Sequence, residues 1–287
     1  MADMDITGKL VLIPTSGLAN RIRIMAVSIK LARESQKKLL VYWHNNIGLR
    51  ADFEDLFEIP DGITVRKIPV RYNAWIKMRQ YSSKLLGLDK WYVSRFQFDF
   101  VFLDSMAVQV WHNKINLQRE VDKAKNVLIC SCQEFNYFNL EDYRLFVPKA
   151  VLQQSIDKLS QKFTNNTIGV HIRATDNEPS KQLSPFSIFM LQMEKEICRN
   201  PDVTFFLSTD EVKYQEKLLE KFGKDRILYH EKVFGRNITK GIQDAVIDLF
   251  CLSKTAKIYG SYFSSFSEVA GRIGNIPVEV LKKENKI

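Results

Sequence analysis

The sequence predicts an α/β protein of two halves built on parallel strands, and three observations carry that reading. The length of 287 residues suits about two domains at roughly 100–200 residues each. Short apolar, β-branched runs alternate with amphipathic helical stretches, a pattern that demands right-handed crossovers and parallel strands. The composition, 45% apolar and 26% charged, is that of a folded chain, which excludes disorder as the main state.

The first half opens on Lys9-Leu10-Val11-Leu12-Ile13-Pro14, a buried-strand pattern. The turn Thr15-Ser16-Gly17 leads into a helix whose apolar residues are Leu18, Ile22, Met25, Ile29 and Ala32, spaced for one face. Leu39-Leu40-Val41-Tyr42-Trp43 is the next strand. Ile63-Thr64-Val65 starts a third, which Arg66 and Lys67 make shorter or closer to an edge. Residues 72–97 read as helical and irregular, and 127–132 as another strand.

The second half is more regular. Thr167-Ile168-Gly169-Val170-His171-Ile172 is a strand. Ser184-Pro185 reads as a cap and first helical residue, before a helix with Phe186, Phe189, Met193 and Ile197 on one face. Strands follow at 203–207, 226–229, 257–260 and 278–281, with helices at 211–222, 238–252 and 265–273 between them. The halves divide as 1–160 and 161–287.

Charge and cysteines narrow the class. Net charge is +9, and residues 66–97 hold eight Lys and Arg against the single acid Asp89, interleaved with Tyr72, Trp75, Tyr81, Trp91, Tyr92 and Phe96. Such a stretch suits nucleic acid, an anionic membrane surface or a sugar acceptor, or else is a solvated helical insertion. Cys130, Cys132, Cys198 and Cys251 lack zinc or redox spacing and read as buried free thiols in a reducing compartment. No run approaches 18 apolar residues, so no membrane-spanning helix is expected. Residues 1–5 show no basic region followed by an apolar core, so no signal peptide is expected either.

Ligands of parallel α/β sheets bind beyond the carboxyl ends of the strands, so the residues just after each strand are the informative ones. They are Arg173-Ala174-Thr175-Asp176-Asn177, Ser208-Thr209-Asp210, and Ser261-Tyr262-Phe263-Ser264-Ser265-Phe266-Ser267-Glu268. Arginine's planar fork binds phosphate bidentately. A serine-rich turn entering a helix adds hydroxyls, free N–H groups and the positive dipole end. This makes a diphosphate site without a glycine-rich loop, and no G-x-G-x-x-G or P-loop occurs. No His/Asp/Glu cluster has metal spacing, and the one D-x-D, Asp3-Met4-Asp5, lies before the first strand. Asp176 and Glu178 follow Arg173 closely enough to supply a catalytic base.

Gly169-Val170-His171-Ile172-Arg173-Ala174-Thr175-Asp176 resembles the first signature of the fucosyltransferase superfamily, which includes α1,2-, α1,6- and protein O-fucosyltransferases. Phe206-Leu207-Ser208-Thr209-Asp210 resembles the second. Asp248-Leu249-Phe250-Cys251-Leu252-Ser253 with Tyr259-Gly260-Ser261-Tyr262-Phe263-Ser264-Ser265-Phe266-Ser267 resembles the third, and Gly17-Leu18-Ala19-Asn20-Arg21 the N-terminal G-L-G-N-R element. Ala174 stands where α1,6-type members carry a second arginine, which leaves the linkage open, and Ala19 replaces the second glycine. The resemblance covers about the first 45 residues and 165–275.

The resemblance implies a GT-B-like fold, two Rossmann-like domains with a cleft between them. It also implies inverting, metal-independent transfer of fucose from GDP-fucose to a glycan acceptor. Donor contacts would come from Asn20, Arg21, His171, Arg173, Asp210, Asp248, Ser264, Ser265 and Ser267, with Asp248 at the nucleotide end. Arg173 would be catalytic, with Asp176 or Glu178 as base. Plainer roles compete: His171 bonded to backbone, Arg173 paired with Asp176 or Asp210, Asp248 a surface carboxylate, and Asn20 and Arg21 cap and surface charge. The expected enzyme is cytoplasmic, with residues 1–160 on the acceptor side. It acts on a glycan or lipid-linked glycan, with peripheral contact to an anionic inner membrane surface through residues 66–97. The alternatives are another nucleotide-sugar donor, a non-catalytic nucleotide-sugar binder, and a nucleic-acid-binding protein. The last is disfavoured because no nucleic-acid motif is present.

Overall fold

The computed structural model describes residues 8–72, 74, 98–135, 137–175, 178–235 and 237–283. The chain forms two compact units, Met1–Val147 and Pro148–Ile287. The division falls earlier than the sequence suggests, because the helix Ala150–Ser160 belongs to the second unit. Its buried residues are Leu152 and Ile156, and the Ile156 carbonyl accepts the Cys251 thiol at 4.0 Å.

The first unit has five parallel strands in the order β3-β2-β1-β5-β4. They are β1 Gly8–Pro14, β2 Lys37–Trp43, β3 Ile63–Lys67, β4 Phe100–Leu103 and β5 Asn126–Ser131. Successive side chains of a strand face opposite ways. Val11 and Ile13 accordingly share one cluster with Tyr42, Tyr72, Leu128 and Cys130. Helix α1, Leu18–Glu34, buries Ile22, Met25 and Ile29 as its spacing predicts. Strand β3 lies at the edge, as its charges foretell, although Arg66 and Lys67 pair within it. Strand β4 was not predicted. Short helices α2, Ala107–Trp111, α3, Leu117–Lys123, and α4, Leu140–Tyr143, complete the described part. Residues 73 and 75–97, most of the basic aromatic stretch, lie outside the described residues.

The second unit has the order β10-β9-β6-β7-β8, again all parallel. Its elements run α5 Ala150–Ser160, β6 Thr167–Ile172, α6 Glu178–Leu183, α7 Phe186–Arg199, β7 Thr204–Thr209 and α8 Val212–Phe222. There follow β8 Ile227–Tyr229, α9 Thr239–Leu252, β9 Lys257–Ser261, α10 Ser265–Gly274 and β10 Val278–Leu281. Ile168, Val170 and Ile172 pack with Phe205, Leu207, Phe189 and Met193. The alternate residues Gly169 and His171 therefore face the other way. A Cβ on Gly169 would stand 2.8 Å from Thr255 Oγ1 and 2.9 Å from Leu252, so this glycine admits the end of α9 against the sheet. Pro185, not Ser184, is the N-cap of α7. Ser184 instead donates its hydroxyl to the Leu281 carbonyl and accepts from the Tyr262 N–H at 2.8 Å.

The thiols depart from expectation at two positions. Cys130 and Cys251 are buried, Cys132 is half-buried and Cys198 is exposed. All four are free. Among the described residues no helix is long and apolar enough to cross a membrane.

Candidate functional site

Strand order locates the site. In the second unit the chain runs from β6 outward to β8, then returns to β9 on the other side of β6. The crevice outside β6 and β9 is thus the topological switch point, where such sheets take ligands. His171 is the last residue but one of β6 and Ser261 ends β9. Ser261 Oγ accepts the Arg173 backbone N–H at 2.9 Å and donates to the His171 carbonyl at 3.2 Å.

Asp210, just past β7, organises the loop after β6. Its carboxylate accepts from the Ala174 N–H at 2.7 Å and the Thr175 hydroxyl at 2.8 Å. It pairs with Arg173 Nη1 at 3.1 Å. The plainer role foreseen for Arg173, an ion pair, is therefore present, and it aims a guanidinium that is 17% exposed.

On the same face of the sheet as Gly169, His171 is buried and stacks on Phe266 with centroids 4.9 Å apart. Its Nδ1 is buried without a hydrogen-bond partner, so the backbone-bonded role foreseen for its ring nitrogen is absent there. Burial, reinforced by Arg173 and Lys232 and opposed by Asp210, pushes the imidazole down to about 3, which makes it neutral at ordinary pH.

Asp248, from α9, is not the surface carboxylate of the plainer alternative: it is 3% exposed. Its Oδ2 accepts the Ser208 hydroxyl at 2.8 Å and the Lys232 ammonium. Its Oδ1 is buried without a partner. A buried polar atom with no partner is costly, so the His171 and Asp248 atoms mark a place that a polar ligand or water completes.

The turn into α10 divides its serines. Ser264 is the N-cap residue and makes no side-chain capping bond, and Ser264 and Ser265 are half-buried. Ser267 is 1% exposed and bonds the Ser264 carbonyl at 3.4 Å. A Cβ on Gly260 would come within 2.3 Å of Ser267 Oγ, so Gly260 lets this turn press onto β9. The buried Ser267 hydroxyl helps to hold the turn.

The two residues offered as the base stand differently. Asp176 lies outside the described residues. Glu178 starts α6, is exposed and pairs with Lys181 at 2.9 Å, which holds its carboxyl below the usual range. A lowered pKa makes a weaker base.

In the first unit Ser16 has φ 69, so the left-handed position of the turn falls on serine, whereas Gly17 has φ −79. Asn20 donates to Ser16 Oγ at 2.9 Å. Arg21 is fully buried, neither surface charge nor an exposed phosphate clamp. It donates to the carbonyls of Ser16 at 2.8 Å and His44 at 2.6 Å, and to Asn46 Oδ1 at 3.2 Å, over the Trp43 ring. Burial lowers its pKa to about 10. This motif arginine ties the β1 turn to the end of β2.

Sequence reasoning missed Lys232 and Asp104. Both follow strands, β8 and β4, and the strand-end rule applied there names them. Asp104 lies outside β4, where its Oδ1 accepts from Ser131 Oγ at 2.6 Å and the Cys132 N–H at 3.0 Å. Among the described residues no group of three His, Cys, Asp or Glu side chains could hold a metal ion.

No family description matches this sequence, and no curated protein matches it. Solved structures do match in three dimensions. The NodZ α1,6-fucosyltransferase of Bradyrhizobium, soaked with GDP-fucose, aligns at TM-score 0.61 and 17% identity over 93% of this chain and 92% of that one. An Arabidopsis thaliana FUT1 variant in complex with GDP aligns at TM-score 0.61 and 17% identity over 97% and 71%. POFUT1 in complex with GDP-fucose aligns at TM-score 0.57 and 12% identity over 97% and 99%. Two parallel five-stranded Rossmann-like sheets, in a chain that aligns over 93–97% of its own length with these structures, give this protein the GT-B-like fold of the fucosyltransferases.

Proposed function

We propose that this chain is an inverting fucosyltransferase that takes fucose from GDP-fucose and needs no metal ion. One observation carries the reading. The aimed Arg173–Asp210 pair shares the switch-point edge of the second unit with two buried, partnerless polar atoms, His171 Nδ1 and Asp248 Oδ1. The ligands of the structural neighbours, GDP and GDP-fucose, support it.

Guanine offers the donors N1–H and N2–H, one of which matches the open Oδ1 of a carboxylate whose Oδ2 is already bonded by Ser208 and Lys232. Asp248 is assigned that role. Arg173, with the Ser264–Ser265 start of α10, stabilises charge on the departing diphosphate. Asp210 keeps the guanidinium oriented. Neutral His171 adds no charge and shapes the wall with Phe266. The acceptor oxygen attacks the anomeric carbon from the face opposite the diphosphate and gives its proton to a base. Glu178 is held by Lys181, so Asp176 is retained as that base. Asn20, bonded to Ser16, keeps its proposed place near the donor diphosphate. The first unit, Met1–Val147, is assigned to the acceptor, a glycan or lipid-linked glycan at a cytoplasmic membrane surface.

Donor hydrolysis tests this without a known acceptor. The protein is incubated with GDP-fucose, GDP-mannose, UDP-glucose and CMP-sialic acid, with and without EDTA. GDP-fucose alone is hydrolysed, equally in EDTA. Hydrolysis of a UDP-sugar instead overturns the donor, and loss in EDTA overturns metal independence.

A further inference from the structure

The first unit carries exposed chemistry that donor binding leaves unused, at the carboxyl ends of β4 and β5. Asp104 is held by Ser131 and the Cys132 N–H through Oδ1, and the Thr15 hydroxyl approaches Oδ2 at 3.4 Å. Arg23 Nε donates to the Cys132 carbonyl at 2.7 Å and fixes the same loop. The carboxylate is thus positioned while Asp104 itself is exposed, and an ionised carboxylate accepts about four hydrogen bonds.

Beyond it, α2 presents Val108 and Trp111, 50% and 51% exposed, three residues apart and so on one face. Phe135 meets Trp111 at 6.4 Å and buried Phe102 edge-on at 5.0 Å. The indole is anchored through Phe135 to the core while much of its surface is open.

A positioned carboxylate in the 3-10 turn that leads into α2, with an exposed, anchored indole seven residues further along, suits a neutral sugar. Pyranose C–H groups stack on the ring, and neighbouring hydroxyls donate to the carboxylate. An anion is repelled there, and an acyl chain would leave the carboxylate desolvated and unpaired. We propose that Asp104 and Trp111 bind one hexopyranose unit of the glycan acceptor. The choice of a glycan rests on the proposed transferase function.

The test is saturation-transfer NMR of the full chain with methyl pyranosides of glucose, galactose, mannose and N-acetylglucosamine. At least one is bound by the wild type. Asp104→Asn weakens it by about ten-fold or more, although asparagine still accepts from Ser131 and Cys132. Trp111→Ala abolishes it, and Trp111→Phe, which keeps a ring, weakens it in a folded protein. Stabilisation by GDP is unchanged in all three variants. Absence of binding to the wild type, or unaltered binding in the Asp104 and Trp111 variants, overturns the proposal. Failure of GDP to stabilise the wild type, with pyranoside binding as described, instead sinks the donor reading and leaves this site standing.

Discussion

Replacing Arg173 with alanine removes the cation at the β6 edge and little else. Its Nη1 lies 3.1 Å from Asp210 Oδ2, and the two side chains are 17% and 26% exposed. Asp210 keeps the Ala174 N–H and the Thr175 hydroxyl at 2.7 and 2.8 Å, so the loop stays tied. Losing that partly exposed pair costs about 1 kcal/mol of stability. The catalytic cost is that of a lost donor to developing charge, ~2.7–4 kcal/mol, or about 10²–10³ in kcat. The assay is GDP-fucose hydrolysis beside a thermal melt. Arg173→Lys restores the charge without the planar fork and recovers only part of the rate. Full activity of the lysine variant would refute the bidentate role. A collapse of the melting temperature in Arg173→Ala would refute the separation of catalysis from folding.

Asp248→Asn replaces a carboxylate oxygen with an amide donor, so stabilisation by GDP gives way to stabilisation by xanthosine diphosphate in a thermal-shift panel; an unchanged GDP preference counts against base recognition there. Lys232→Met leaves the buried Asp248 charge without its ammonium, at a cost of about 3–5 kcal/mol in denaturant unfolding, and a negligible loss would show the pair to be solvated. His171 keeps its neutral form down to about 3, against an ordinary 6.5. The unfolded chain therefore binds more protons between those values, and its contribution to stability, complete above pH 6.5, is lost progressively as pH falls toward 3. In His171→Gln the melting temperature therefore falls less than in the wild type as pH drops from 6.5 toward 3, and an unchanged fall would refute this. Arg21→Lys cannot reach the Ser16, His44 and Asn46 acceptors together and lowers stability by about 2 kcal/mol, while hydrolysis per folded molecule persists; loss of hydrolysis with an unchanged melt would return Arg21 to the donor.

Much of this architecture was legible because buried parallel strands leave a clear mark. The run Leu10–Ile13 is wholly apolar and Thr167–Ile172 places Ile168, Val170 and Ile172 at alternate positions, and each became a central strand. Strand β4 escaped because its four residues follow the basic stretch and carry no turn signal of their own. Its loss concealed Asp104. At the site, identity and chain position were readable, but direction was not. Arg21 and Arg173 both follow strands, yet one is enclosed by backbone carbonyls and the other is partly open. Ser264 and Ser267 share a turn, yet only the latter faces Gly260. Those distinctions depend on packing between elements distant in sequence. The Asp248–Lys232 pair shows the same limit, since nothing local in α9 announces a lysine beyond β8.

Calorimetric and thermal-shift titration of the full chain with GDP, UDP and CMP in EDTA tests the central claim, that the second unit holds a guanosine diphosphate with its own side chains. The account predicts stabilisation by GDP alone, about 2.7 kcal/mol at a concentration 100-fold above the dissociation constant, and its loss in Asp248→Asn. No response to GDP, with a clear response to UDP, would contradict it.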